Sequence, residues 1–242
     1  MDKNKELFKI DNSGLYYLDN HEILTPFVFN ELVKAYTPRR QFYKIDGTDD
    51  YVIKDSTLRP MWFNGIKQKN LLLDLKEKQS DFDNIEFPIG YYLNNEKIKG
   101  TIIPYYPDSM SLRRILNTYD NKQISDYYLH SDNELDNIIL MCIDILNIIS
   151  SLYKDDIAYV DIHSGNFLFY NNEVKLIDFE PGYVFVTTNK LKYYNDILRN
   201  YSFIVSAVLR KFGYRDFYYN PGDSFDEAEG RVLGLRKQLK RG

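Results

Sequence analysis

Short runs of β-branched and aromatic residues, bounded by turn residues, recur through the first hundred positions around one helical stretch. Leu15 to Leu18 and Ile23 to Phe29 read as strands with Asp19-Asn20 as a turn between them. Gln41 to Ile45 and Tyr51 to Lys54 read as a hairpin around Asp46-Gly47-Thr48-Asp49-Asp50. Ile89 to Leu93 and Ile98 to Ile103 form another around Asn94-Asn95-Glu96. Between the hairpins, Met61 to Gln79 lacks Pro and is rich in Leu and Lys, which predicts a helix.

After Pro104 the period changes. Ser111 can cap a helix over Leu112 to Leu116. Asp132 or Asn133 can start a long helix through Tyr153, with Leu135, Ile138, Cys142, Ile145 and Ile149 among the positions of one apolar stripe. Phe167 to Tyr170 and Val174 to Ile177 bracket Asn171-Asn172-Glu173 as an embedded hairpin, and a last helix is expected from about Tyr194 to Phe212. The order is therefore strands, helix, strands, a short hinge, then helices around one hairpin.

Bulk composition adds limits. Of 242 residues, 44% are hydrophobic and 27% charged, the balance of a globular chain with a real core. The net charge of −4 offers nothing to nucleic acid or an anionic membrane. Arg236, Lys237, Lys240 and Arg241 make the carboxyl end locally basic, as a helix end or solvated tail. Cys142, the single cysteine, sits in an apolar run and reads as a buried, inert thiol. The polar start Met1-Asp2-Lys3-Asn4 lacks the apolar core of a signal peptide, and the apolar run Ile138 to Tyr153 is broken by Asp144 and Asn147. The expected location is the cytoplasm.

The chemistry concentrates in Tyr159-Val160-Asp161-Ile162-His163-Ser164-Gly165-Asn166 and in Leu176-Ile177-Asp178-Phe179-Glu180. One carboxylate, Asp161, can orient and deprotonate an attacking hydroxyl. Asn166 and Asp178 offer the hard oxygen donors that Mg²⁺ prefers beside ATP phosphates. A turn role for Asp161, capping the Gly165-Asn166 loop, is the plainer alternative. Gly165 lets that loop turn tightly.

These residues resemble the catalytic and metal loops of the protein-kinase-like superfamily, over about residues 41–212. The resemblance implies an α+β, two-lobed protein-kinase-like fold with an antiparallel-sheet N-lobe (1–103), a hinge (104–108) and a mainly helical, truncated C-lobe (109–242). It implies ATP and Mg²⁺ as cofactors, Asp161 as the base, and Asn166 and Asp178 as metal ligands. Lys54, ending its strand, is matched to the lysine that grips the ATP phosphates, with Asp74 or Glu77 as its carboxylate partner. Pro104, through its carbonyl, and Tyr106, through its amide, are matched to the adenine-binding hinge. Asp196 is matched to the aspartate that steadies the catalytic loop.

Within that superfamily, the Asp-x-His-x-Gly-Asn form and Glu180 look more like aminoglycoside phosphotransferases and choline-kinase-like enzymes. His163 can either brace the loop or contact phosphate or acceptor. No Gly-x-Gly-x-x-Gly precedes Lys54; Arg39 and Arg40 are the nearby cations. Tyr159-Val160 replaces the usual His-Arg, and eighteen positions between Asp178 and Asp196 leave little room for an activation loop. The expected activity is transfer of the γ-phosphate to a hydroxyl acceptor, a protein Ser or Thr in preference to a small molecule. A small-molecule kinase and a pseudokinase serving as a nucleotide-dependent binding module are the alternatives.

Overall fold

Gly90 sets the closest approach in the N-terminal half. A Cβ there would lie 2.1 Å from the Tyr16 carbonyl oxygen, so only glycine lets the two backbones meet. The contact lies in a seven-stranded sheet of a computed structural model that describes residues 7–19, 24–27, 41–55, 65–79, 82–117, 124–179, 182–213 and 223–239. Its strands are β1 (Lys9–Ile10), β2 (Tyr16–Asp19), β3 (Leu24–Phe27), β4 (Gln41–Ile45), β5 (Tyr51–Asp55), β6 (Gly90–Asn94) and β7 (Lys97–Pro104). The spatial order is β1-β2-β6-β7-β5-β4-β3. All pairs are antiparallel except β2 with β6, which run parallel.

The expected β4–β5 and β6–β7 hairpins form in register, Lys44 opposite Val52 and Asn94 opposite Lys97. In the second, Asn95 and Glu96 take φ of 50° and 61°, the left-handed pair that a two-residue hairpin turn needs. β2 and β3, the strands expected on either side of Asp19-Asn20, do not pair with each other; β2 joins β6 and β3 forms an edge of the sheet. A local turn signal cannot reveal such a separation, because each strand's partner lies far along the chain.

Inward residues of the sheet, including Phe8, Leu18, Ile45, Ile53, Tyr92 and Ile102, form one cluster. Each apolar side chain of this size stabilises by roughly 1.5–3 kcal/mol when fully buried. Helix α1 (Gly65–Lys78) follows the predicted span, and its Leu72 packs with Leu15 and Tyr91.

The second half holds α2 (Leu112–Asn117), α3 (Glu134–Lys154), α4 (Leu191–Lys211) and α5 (Phe225–Leu239). Ser111 Oγ accepts from Arg114 N–H, and Asn133 Oδ1 accepts from Asp136 N–H, the expected caps of α2 and α3. By length and composition α3 could cross a membrane, but 67% of its apolar window is buried inside the molecule. It follows the span expected from Asn133 through Tyr153, with Ile138, Cys142, Ile145 and Ile149 all buried. Asp144, which interrupts that run, accepts a hydrogen bond from the Tyr128 hydroxyl. Burial pushes the Cys142 thiol up to about 12, in keeping with an inert core cysteine.

Strands β8 (Met110–Ser111), β10 (Phe167–Tyr170) and β11 (Glu173–Leu176) form a three-stranded sheet, and β9 (Ile157–Tyr159) pairs with β12 (Val184–Val186). Asn171 and Asn172 turn the β10–β11 hairpin with φ of 51° and 65°. Helix α5, whose body the sequence reading did not assign, ends in the basic segment read from sequence as a helix end or solvated tail. Its Ala228 and Val232 are buried, Phe225 packs edge-on against Tyr153 and Tyr194, and Arg231 pairs with Asp223 at 2.7 Å. The fold is thus α+β with an antiparallel-rich sheet.

By internal contacts the chain divides into two compact units. One comprises Met1–Phe82, Glu86–Pro107 and Phe179–Gly182; the other comprises Asp83–Ile85, Asp108–Asp178 and Tyr183–Gly242. The main boundary, Pro107/Asp108, falls within the expected hinge 104–108. Residues 83–85 join the second unit because Ile85 bridges Leu176 and the Asn84 carbonyl accepts from Leu176 N–H at 2.9 Å.

Candidate functional site

Asp161 and Asn166 belong to a loop that leaves β9, makes a single 3₁₀ turn over Ser164–Asn166 and enters β10. His163 caps that turn: its Nδ1 accepts from the Gly165 N–H at 3.0 Å. Arg113 Nη2 lies 3.1 Å from the same nitrogen. Arginine and a backbone amide can only donate, so Nδ1 is the acceptor and the ring hydrogen resides on Nε2. Nε2 faces Asp161 Oδ2 at 3.6 Å, outside hydrogen-bond range. His163 therefore braces the loop, one of the two roles open to it.

The Asn166 amide is fixed more tightly. Its Nδ2 lies 2.5 Å from the Tyr159 hydroxyl, 2.9 Å from the Asp161 carbonyl and 3.3 Å from Asp161 Oδ2. A carbonyl and a carboxylate accept only, so the NH₂ group must face them. The amide oxygen is then the atom left for a cation. Asn166 is buried, and its backbone carbonyl accepts from Ile177 N–H at 2.9 Å, which brings the residue before Asp178 against the loop.

Asp178 has a φ of 77°, the left-handed region that an L side chain enters only at a cost of roughly 1–2 kcal/mol. Asp tolerates that conformation better than most residues, and strained backbone of this kind gathers at functional sites. Its carbonyl lies 3.4 Å from the Tyr159 hydroxyl, and that of Ile177 at 3.3 Å. Tyr159, noted in the sequence only as a departure from His-Arg, is the buried bracket between the two motifs. The cue that could have revealed it is its place on a fully buried strand, where a phenol needs a polar partner.

The loop-steadying role moves from Asp196 to Asn200. Asn200 Nδ2 donates to the Val160 carbonyl at 3.0 Å, whereas Asp196 forms an exposed ion pair with Arg199 at 2.8 Å. Asp196 lies in the second turn of α4 and Asn200 one turn further on, near the middle of the helix, so the sequence pattern selected the right helix and the wrong residue.

In the other unit, Lys54 is buried on β5, opposite Phe42 and Thr101. The expected partners Asp74 and Glu77 lie exposed on α1. The buried carboxyl electrostatically coupled to Lys54 is Glu86, which precedes β6. Burial pushes Glu86 up to about 8, against the opposing pull of the Lys54 charge. The buried polar side chain of α1 is instead Gln68, whose amide atoms have no hydrogen-bond partner among the described residues.

Pro104 closes β7 opposite Tyr51, and Pro104 and Tyr106 are both half-buried. Between them the Tyr105 N–H is taken by the Asp50 carbonyl at 2.7 Å. Arg39, Arg40 and Glu180 lie outside the described residues, as do positions 61–64 of the predicted first helix. Among the described residues no group of three or more His, Cys, Asp or Glu side chains could hold a metal ion, so any metal here would rest on the Asn166 amide, the Asp178 carboxylate and ligand oxygens. Comparison of the chain with protein-family models and with curated proteins yields no match.

Proposed function

We propose that this protein is an ATP- and Mg²⁺-dependent phosphotransferase of protein-kinase-like, two-lobed fold, acting on an acceptor hydroxyl of a protein Ser or Thr. The observation that carries the reading is the locked Asn166 amide. Its NH₂ is committed to Tyr159 and Asp161, and its oxygen is left for a cation beside the segment bearing Asp178. A loop built only to turn would not need a buried amide fixed in one orientation by Tyr159 and Asp161.

In this reading Asp161 accepts the proton of the acceptor hydroxyl as its oxygen forms a bond to the γ-phosphorus. The bond from that phosphorus to the β–γ bridging oxygen breaks, and ADP leaves with the electron pair. His163 braces the loop that carries Asp161 by capping its turn at the Gly165 N–H. Asn166 and Asp178 would hold Mg²⁺, which when bound supplies charge neutralisation on the phosphates. Lys54 would meet the α- and β-phosphates, and the Pro104 carbonyl and Tyr106 amide the adenine.

Calorimetric titration with ATP tests the reading. Binding should require Mg²⁺ and be lost in Asp178→Ala. Equal ATP affinity with and without the metal, or in that variant, would remove the metal assignment.

A further inference from the structure

Beside the catalytic loop lies an open cleft of about 520 Å³, lined by Arg113, Leu116, Asn117, Ser164, Ala207, Arg210 and Lys211. Among the described residues that line it, three are cationic and none is acidic. Cations at Arg210 and Lys211 suit the last turn of α4, where they complement the helix dipole. That alone does not account for Arg113, which converges on the same cleft from α2.

Arg113 is held there by the loop itself. Its guanidinium bonds His163 Nδ1, and its Cζ occupies space 2.9 Å from where a Gly165 Cβ would stand. The cleft is therefore joined to Asp161 by a short relay: Arg113 to His163 at 3.1 Å, and His163 to Asp161 at 3.6 Å. A ligand held by Arg113, Arg210 and Lys211 would lie next to the carboxylate that orients the acceptor.

We infer that this cleft receives the acidic flank of a polypeptide whose Ser or Thr is the acceptor. The inference rests on the phosphotransferase reading for the word acceptor, but not for the binding itself. Three clustered cations favour a segment rich in Asp or Glu and oppose a cationic acceptor such as an aminoglycoside or choline. Small-molecule pockets are lined mostly by apolar groups. Among the described lining residues only Leu116 and Ala207 are apolar, and the cleft is open along the surface, which suits an extended chain.

The test uses the full chain and fluorescein-labelled peptides carrying one Ser in acidic, neutral or basic flanks, read by anisotropy. The acidic peptide should bind about tenfold more tightly than the neutral one, and the difference should shrink as salt rises. The doubly reversed variant Arg210→Glu with Lys211→Glu should lose the preference while its melting curve shows it folded. Gly165→Ala, which displaces the Arg113 guanidinium, should weaken acidic-peptide binding independently of that variant. Equal binding of the three peptides, or a preference for the basic one, overturns the inference. So does a preference that survives in both folded variants. Acidic-peptide binding with no phosphate transfer to any hydroxyl would support the cleft and overturn the phosphotransferase reading. Transfer that favours basic acceptors would do the reverse.

Discussion

The Tyr159 hydroxyl and the Asn166 amide meet at 2.5 Å, and that contact ties the Asp161 loop to the Asp178 segment. Removing the phenol oxygen leaves Asn166 Nδ2 with its Asp161 contacts and the Ile177 N–H with the Asn166 carbonyl, but takes the hydroxyl away from the Ile177 and Asp178 carbonyls. Tyr159→Phe should cost about 1–2 kcal/mol in urea unfolding, the range for losing a buried hydrogen bond. It should also weaken Mg²⁺-dependent ATP binding. Wild-type nucleotide affinity in this variant would show that the bracket is structural only.

Asn200 and Asp196 make opposite predictions although they lie one turn apart. Asn200→Ala removes the bond to the Val160 carbonyl and should cost about 1 kcal/mol and slow turnover. Asp196→Ala removes an exposed ion pair and should change stability by less than about 0.5 kcal/mol. Paired denaturation curves decide it, and a larger loss in the Asp196 variant would reverse the assignment.

Glu86 gives a dependence on pH. Its folded-state value is raised by burial to about 8 from an ordinary 4.5, with Lys54 opposing. The unfolded chain releases this proton first as pH rises. The stability contributed by the neutral buried acid is therefore complete below about 4.5 and is lost as pH climbs through about 8. Melting temperatures measured from pH 5 to 8.5 should fall in the wild type and flatten in Glu86→Gln. An unchanged slope in the variant would mean that another group carries the titration.

Two glycines should respond to alanine with opposite signs. At Gly90 the added carbon meets the Tyr16 backbone, which cannot yield, so Gly90→Ala should destabilise by several kcal/mol. At Gly230, inside α5, nothing lies within 4 Å, and Gly230→Ala should stabilise by roughly 0.5–1 kcal/mol through helix propensity. Thermal unfolding of both variants checks the β2–β6 contact and the existence of α5 together.

What could be read from the sequence was local. Asn-Asn turns, the Ser111 and Asn133 caps and the α3 stripe each depend on residues within a few positions of one another. The Asp161–Asn166 pair could be read for the same reason, since one short loop holds both. The rest depends on contacts between distant positions. The coupling of Glu86 to Lys54 spans two strands, β2 finds β6 across more than seventy residues, and Arg113 reaches His163 from fifty positions away. Helix α5 was missed because its buried face is narrow, carried by Ala228 and Val232 amid charged neighbours.

The central claim is that Asp161 orients a hydroxyl for attack on ATP. Its most direct test is transfer of labelled γ-phosphate, with Mg²⁺, to acidic Ser peptides and to a cell extract, comparing wild type with Asp161→Asn. The account predicts labelled product with the wild type and a loss of roughly 10²–10⁴-fold in the variant, with ATP binding retained. Equal labelling by the two proteins, or none by a wild type that binds MgATP, would contradict it.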